Sequence, residues 1–252
     1  MTSEELERRV LYRDALTIVI DKPAGVPVHE GPRNAAERNR ERAGELSQPP
    51  LTAMFDGLRF GLPRRPELAH RLDRETSGCL VLGRNRAALA RLGELFASGA
   101  VAKTYWAVVL GGPEPDEGVI DLALGRRDKT RGWWMKVDAQ GQKAVTHWRV
   151  IGRGKAEADG RALTALALEP LTGRTHQLRV HCAAASWPIL GDAIYGEAER
   201  TASPSLHLHS RSIELPLYTK RAPIRVVAPV PPHMHEALAA CGVVDEAAAP
   251  AA

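Results

Sequence analysis

The sequence predicts an α+β fold: a mixed, mostly antiparallel sheet with flanking helices and loops. Three observations predict it. Seven or more stretches alternate or run apolar as strands do, and two helices of good quality sit among them. Strand and helix signals do not alternate one for one, as a doubly wound parallel sheet requires. No GxGxxG turn and no Walker-type loop follows the first strand.

Taken in order, "LTIVIDKPAG" (16–25) reads as a buried strand stopped by a Pro-Ala-Gly turn. Residues 29–50 turn polar and charged, as a mobile loop or a short exposed helix. "LTAMFDGLRFGL" (51–62) places Leu51, Met54, Phe55 and Leu58 at helical spacing. "CLVLGR" (79–84) is a strand. "RAALARLGELF" (86–96) is an amphipathic helix with Leu89, Leu92 and Phe96 on one face. "KTYWAVVLGG" (103–112), "THWRVIGR" (146–153) and "ALTALALEP" (162–170) are strands. "THQLRVHCAAA" (175–185) returns to helical spacing, with Thr175 as its expected N-cap. "LHLHSRSIEL" (206–215) and "IRVVAP" (224–229) close the sheet. The boundaries are one domain over residues 1–242 and a disordered tail over 243–252.

Composition sets the class. The chain has 252 residues, 44% apolar and 25% charged, which is ordinary for a folded soluble domain. The net charge is +4, and 34 residues are Lys or Arg. Only seven of these are Lys, so the basic surface is mostly Arg. Guanidinium forks suit phosphate and planar acceptors. The charge permits a nucleic-acid partner without requiring one. Cys79, Cys182 and Cys241 form no CxxC pair, which argues against a disulfide framework and a zinc site. No signal peptide or membrane span is legible. The expected compartment is the cytoplasm.

Four stretches carry chemistry. In "HRLDRETSG" (70–78), Asp73 sits between Arg71 and Arg74. Neighbouring cations favour an ionised carboxylate, a poor general acid but a usable nucleophile. A turn-capping Asp with surface ion pairs has the same sequence. In "LTGRTHQLRVH" (171–181), a Gly-Arg-Thr turn enters a helix, with Arg174 at a natural anion site and Arg179 about one turn inside. His176 and His181 read as structural histidines. In "KTYWAVV" (103–109), alternation puts Lys103 and Tyr105 on one face, where a sheet-edge Tyr could stack on a base. In "GRRDKTRGWWMK" (125–136), five cations interleave with Trp133 and Trp134, a mixture that suits unpaired RNA or an inward-packed hairpin.

The first three of these stretches, with "DKPAGVPVH" before them and "GDAIYG" (191–196) after, resemble the RluA-type pseudouridine synthases in order and spacing. The resemblance covers about Val10 to Val230. It implies the curved catalytic fold of that family and an enzyme that isomerises uridine in RNA without a cofactor or metal. It implies that Asp73 is the catalytic carboxylate and that Arg179 pairs with it. Leu178 would pack beneath the uracil. Tyr105 would stack on the flipped base, its hydroxyl helping to remove the carbon-5 proton. Arg71 would enter the gap left in the RNA stack. His70, Arg174 and Lys103 complete the expected RNA-binding set.

Base flipping is least costly in an unpaired loop, so a stem-loop of ribosomal or transfer RNA is the expected partner, bound by a monomer. The leader before Val10 is too short for an S4-type RNA-binding domain. Target choice then rests on loops 29–50 and 125–143. A non-catalytic RNA-binding protein on the same frame is the alternative. A hydrolase built on Asp73 and the histidines would want a second carboxylate or a metal.

Overall fold

A computed structural model of the protein describes residues 1–29, 49–127, 134–198 and 205–245. Most of the polar segment 29–50, the centre of the 125–136 hairpin and the end of the tail lie outside these. The chain opens with a short helix α1 (Ser3–Glu7) and strands β1 (Val10–Arg13) and β2 (Thr17–Lys22). A 3-10 segment (Leu51–Leu58), β3 (Glu67–Leu68), β4 (Ser77–Gly83) and α2 (Arg86–Ala97) follow. Next come β5 (Ala102–Leu110), β6 (Glu117–Asp121), β7 (Leu124–Arg126), β8 (Met135–Val137), β9 (Val145–Lys155) and β10 (Ala162–Pro170). The last elements are α3 (Gln177–Ala184), β11 (Leu208–Leu215), β12 (Ile224–Val227) and α4 (Pro232–Ala240).

Ten strands form one sheet, in the order β1-β2-β4-β11-β5-β10-β9-β6, with β12 on β11 and β3 on β4. Among the described residues β4–β11 is parallel and the other pairs are antiparallel. Tyr105 therefore lies on a central strand, between β11 and β10, and not at the edge that the sequence led us to expect.

Alternation along the strands divides the core. Ile18, Ile20, Leu80 and Leu82 face the 3-10 segment through Leu51, Phe55 and Leu58. Val19, Cys79 and Val81 face the opposite way, onto Leu92 and Leu95 of α2. In the other half, Ala107, Val109, Leu166 and Leu168 pack on Leu178 and Cys182 of α3. Val108, Leu163 and Ala165 pack on Met234, Ala237 and Leu238 of α4. Helices thus cover both faces of each half, and this is why the central strands read as unbroken apolar runs. Each fully buried Leu or Ile contributes about 1.5–3 kcal/mol. Tyr105 touches the first and third of these clusters and so sits at the seam between the halves.

Local differences from the sequence reading have local causes. Asn85 caps α2 through the Ala88 N–H, and the buried face is Ala88, Leu92 and Leu95. Leu89 and Phe96 flank that face. The residues at 51–62 bury the expected four side chains, but as a 3-10 segment. The N-cap of α3 is His176, in the left-handed region at φ 52°, and not Thr175. Asp245 accepts from the Arg211 guanidinium and the Val230 N–H, so the start of the expected tail is tied to the body. Gly78 adopts φ +102°, and a Cβ there would sit 2.3 Å from the Ser210 carbonyl oxygen. Only glycine lets β4 approach β11 at that point.

Candidate active site

The approach to β4, strand β5 and the turn before α3 converge on one pocket, a cavity of about 130 Å³. Seven of the eight expected site residues line it: Arg71, Asp73, Lys103, Tyr105, Arg174, Leu178 and Arg179. His70 does not. Its Nε2 accepts the Val81 N–H at 3.0 Å, and its ring stacks on Phe96 at 4.5 Å. Burial, then the charge of Lys103, push its pKa down to about 3. His70 thus sits against Phe96, outside the pocket lined by the other seven.

Asp73 is positioned from behind. Lys22, at the end of β2, is completely buried. Its ammonium donates to the carbonyls of Pro23, Arg74 and Thr76, each at 2.8 Å. An ammonium has three donors, and each finds an acceptor. Burial pushes Lys22 down to about 7, against the pull of Glu75 and Asp73. The Thr76 N–H closes the turn onto the Asp73 carbonyl at 3.2 Å, and the Gly25 N–H meets the Arg74 carbonyl at 2.9 Å. Leu72 anchors the same loop in the first core cluster.

The charge around Asp73 differs from the expectation. Arg74 turns away, donating to the Gly25 carbonyl, and Arg71 is exposed at the pocket rim. Arg179 does not pair with Asp73. It is held by Asp192, Nε to Oδ2 at 2.8 Å and Nη2 to Oδ1 at 2.7 Å. These side chains are 4% and 1% exposed. The reason is geometric: a carboxylate that takes both arms of the fork in a dry site satisfies the guanidinium fully. Asp192 also accepts from the Ile194 and Tyr195 N–H groups. Burial alone would raise Asp192, but the Arg179 bonds and charge outweigh it and hold it below the usual carboxylate range. Burial likewise opposes the charge on Arg179, and Asp192 reverses that, with Asp73 adding a weaker pull. Among the described residues the nearest basic nitrogen to Asp73 is Nε2 of His176, at 3.9 Å.

Tyr105 lines the same pocket as Asp73. Burial raises its phenol well above 10, the Ser210 hydroxyl opposes this, and the charge of Asp73 adds to the rise. A raised phenol is a weaker acid, so loss of its own proton near neutrality is disfavoured. Lys103, on the same face of β5, is lowered by burial. Leu178 lies at 6% exposure between pocket and core.

Gln177, which the sequence reading passed over, fixes the turn that carries Arg174. Its Oε1 accepts from the Thr172 hydroxyl and the Arg174 N–H, and its Nε2 donates to the Val145 carbonyl and Thr146 Oγ1. Arg174 is exposed and donates to the Lys143 carbonyl. His181 bridges Thr146 and the Leu122 carbonyl, a structural role as expected. Lys22, Asp192 and Tyr195 were also missed as site residues. Their signals were a lone Lys ending an apolar strand, and the acid and phenol of "GDAIYG". Among the described residues no group of three or more His, Cys, Asp or Glu is arranged to hold a metal ion.

The family described as RNA pseudouridylate synthase matches residues 16–184. An uncharacterized RNA pseudouridine synthase of Zymomonas mobilis is 43% identical over 228 residues, covering 90% of this chain and 95% of the relative. The ribosomal large subunit pseudouridine synthase D of Xylella fastidiosa is 33% identical, covering 94% of this chain and 70% of its own. The structure of human RNA pseudouridylate synthase domain containing 4 superposes with a TM-score of 0.71 at 27% identity, covering 95% of both chains. The mixed, mostly antiparallel sheet is thus the fold of those enzymes, and the chain belongs to the RNA pseudouridylate synthase family, isomerases that act on uridine in RNA.

Proposed function

We propose that the protein converts a single flipped uridine to pseudouridine with Asp73 as the attacking carboxylate. The observation that carries this reading is Asp73 on a clamped turn, sharing with Tyr105 a pocket of one-ring size. The cavity of about 130 Å³ compares with about 150 Å³ for an engineered cavity that binds benzene. Asp73 keeps 20% of its side chain open, enough to meet a ligand. The Tyr105 ring supplies a stacking face, Leu178 an apolar floor, and Arg71 a cation at the mouth to fill the vacated place in the RNA stack. Arg174 and Lys103 face the phosphates or base edges.

The reaction conserves atoms. The bond from N1 to the ribose breaks, carbon 5 bonds to the same ribose carbon, carbon 5 releases its proton and N1 gains one. No oxidant or reductant is needed. Asp73 attacks carbon 6 of the uracil or the anomeric carbon of the ribose; its position is compatible with either. A loop of ribosomal or transfer RNA is the proposed substrate, because extrusion costs only a few kcal/mol there. We read residues 1–242 as one unit acting as a monomer in the cytoplasm. Among the described residues no helix is long and apolar enough to cross a membrane. A non-catalytic RNA binder would not need a carboxylate lining a base-sized pocket.

The test uses unmodified ribosomal and transfer RNA transcripts carrying tritium at uracil carbon 5. The wild-type protein is expected to release tritium and form pseudouridine. Asp73→Asn is expected to do neither while binding the RNA with little loss. Turnover by that variant at the wild-type rate would remove the nucleophile assignment.

A further inference from the structure

Beyond Asp73, one chain of contacts ends on the reacting carboxylate. The Met135 N–H donates to the Tyr195 hydroxyl oxygen at 2.9 Å. That hydroxyl lies 2.8 Å from Nδ1 of His176. The other ring nitrogen, Nε2, faces Asp73 Oδ2 at 3.9 Å. A backbone N–H can only donate, so Tyr195 accepts there and has its own proton left for Nδ1. A carboxylate can only accept, so a bare Nε2 facing it would be repelled. Both neighbours select the same neutral tautomer, with the proton on Nε2 and directed at Asp73.

Three further observations set His176 apart from a packing histidine. Its backbone is left-handed at φ 52°, a strained conformation for a side-chain-bearing residue, at the entry to α3. That conformation turns the ring into the pocket, which it lines. It makes no side-chain cap to its helix. Its ring meets Tyr195 edge-on at 5.5 Å between centroids, which fixes its plane. Among the described residues, the charged groups around it include Asp73, Arg179, Asp192 and Arg71, and the Tyr195 hydroxyl meets its Nδ1. Burial lowers its pKa, Asp73 opposes, and Arg179 lowers it further, so it is neutral at neutral pH.

We propose that His176 is a positioning residue for Asp73: its Nε2–H, fixed by the Tyr195 hydroxyl, aims the carboxylate at the flipped base. The proposal rests on the reading of Asp73 as the nucleophile. The 3.9 Å gap is longer than a hydrogen bond and closes with a shift of about 1 Å, as such contacts do when substrate arrives. Arg179, bound to Asp192, cannot serve this role without breaking a buried pair. The sequence motif "GDAIYG" then has two jobs here: Asp192 holds Arg179, and Tyr195 sets the histidine.

Four variants and one spectrum test it. His176→Phe keeps ring packing and removes the donor; kcat on the tritiated transcripts is expected to fall about 10²-fold, with KM and melting temperature close to wild type. His176→Gln places an amide N–H near Nε2 and is expected to recover at least tenfold of that loss. Tyr195→Phe removes the donor that keeps Nδ1 unprotonated, so kcat is expected to fall part of the way toward that of His176→Phe. Nitrogen NMR of histidine-labelled protein is expected to show His176 protonated on Nε2. An Nδ1–H tautomer, or wild-type kcat in His176→Phe with Asp73→Asn inactive, overturns the positioning role alone. An active Asp73→Asn overturns the nucleophile reading and the proposal with it.

Discussion

Breaking the Arg179–Asp192 pair tests whether this arginine is a structural partner of "GDAIYG" or a direct partner of Asp73. Both charges are almost fully buried and the contact is bidentate. Removing one member of such a pair costs about 3–5 kcal/mol, because the other is left charged and dry. A chain of 252 residues has an unfolding entropy of about 0.5 kcal/mol/K, at about 2.1 cal/mol/K per residue. Each single variant, Arg179→Met or Asp192→Asn, should therefore melt about 6–10 °C lower. The double variant should cost less than the two singles together, by at least about 2 kcal/mol in urea unfolding. The pH dependence has a definite sign. Asp192 is depressed in the folded state, so its contribution is complete above the unfolded value near 3.9 and vanishes as pH falls through the folded one. The gap between wild type and Asp192→Asn should hold steady above about pH 5 and narrow in acid. Additive singles to within about 0.5 kcal/mol, or a loss under about 1 kcal/mol in Asp192→Asn, would refute the reasoning.

Two other perturbations probe the site. Lys22→Met strands the three carbonyls behind Asp73; at about 1–3 kcal/mol for each unpaired group, offset by no longer burying an ammonium, a net loss of roughly 2–4 kcal/mol is expected. Urea unfolding reads that loss, and kcat should fall even at temperatures where the variant is fully folded, since the Asp73 turn loosens. Tyr105→Phe keeps the ring and removes a phenol that burial holds protonated; its tritium-release rate should stay within about threefold of wild type, whereas Tyr105→Ala should lose about 1–3 kcal/mol of stacking. A large defect in Tyr105→Phe would return the hydroxyl to the chemistry.

Periodicity located the strands because helices bury both sheet faces, so that runs such as "LTIVID" and "ALTALALEP" stayed apolar. It overlooked α4, whose buried residues Met234, Ala237 and Leu238 lie among His and Ala in a stretch with little apolar contrast. It also overlooked β6, which covers the edge and buries only Ile120. The pocket was legible because its residues cluster in short motifs. The pairing inside it was not, because Arg179 had two candidate acids, Asp73 and Asp192, and sequence spacing does not report which one meets a guanidinium in three dimensions. The same limit hid Lys22, whose three acceptors are backbone carbonyls and leave no side-chain signature. The sequence did not show that His70 stacks on Phe96, because a histidine beside a catalytic motif looks the same whichever way it turns.

The β4–β11 register consists of two residue pairs, His209 with Ser77 and Ser210 with Gly78. Asp73 travels with β2 and β4, while His176 and Arg179 travel with α3 on the far side of that join. The two jaws of the reaction centre thus belong to two bodies that meet at this short parallel join, which the second core cluster and the Ser77–His209 contact reinforce. A repacking mutation deep in either body, remote from any reacting atom, would be felt by the uridine as a wider or tighter bite.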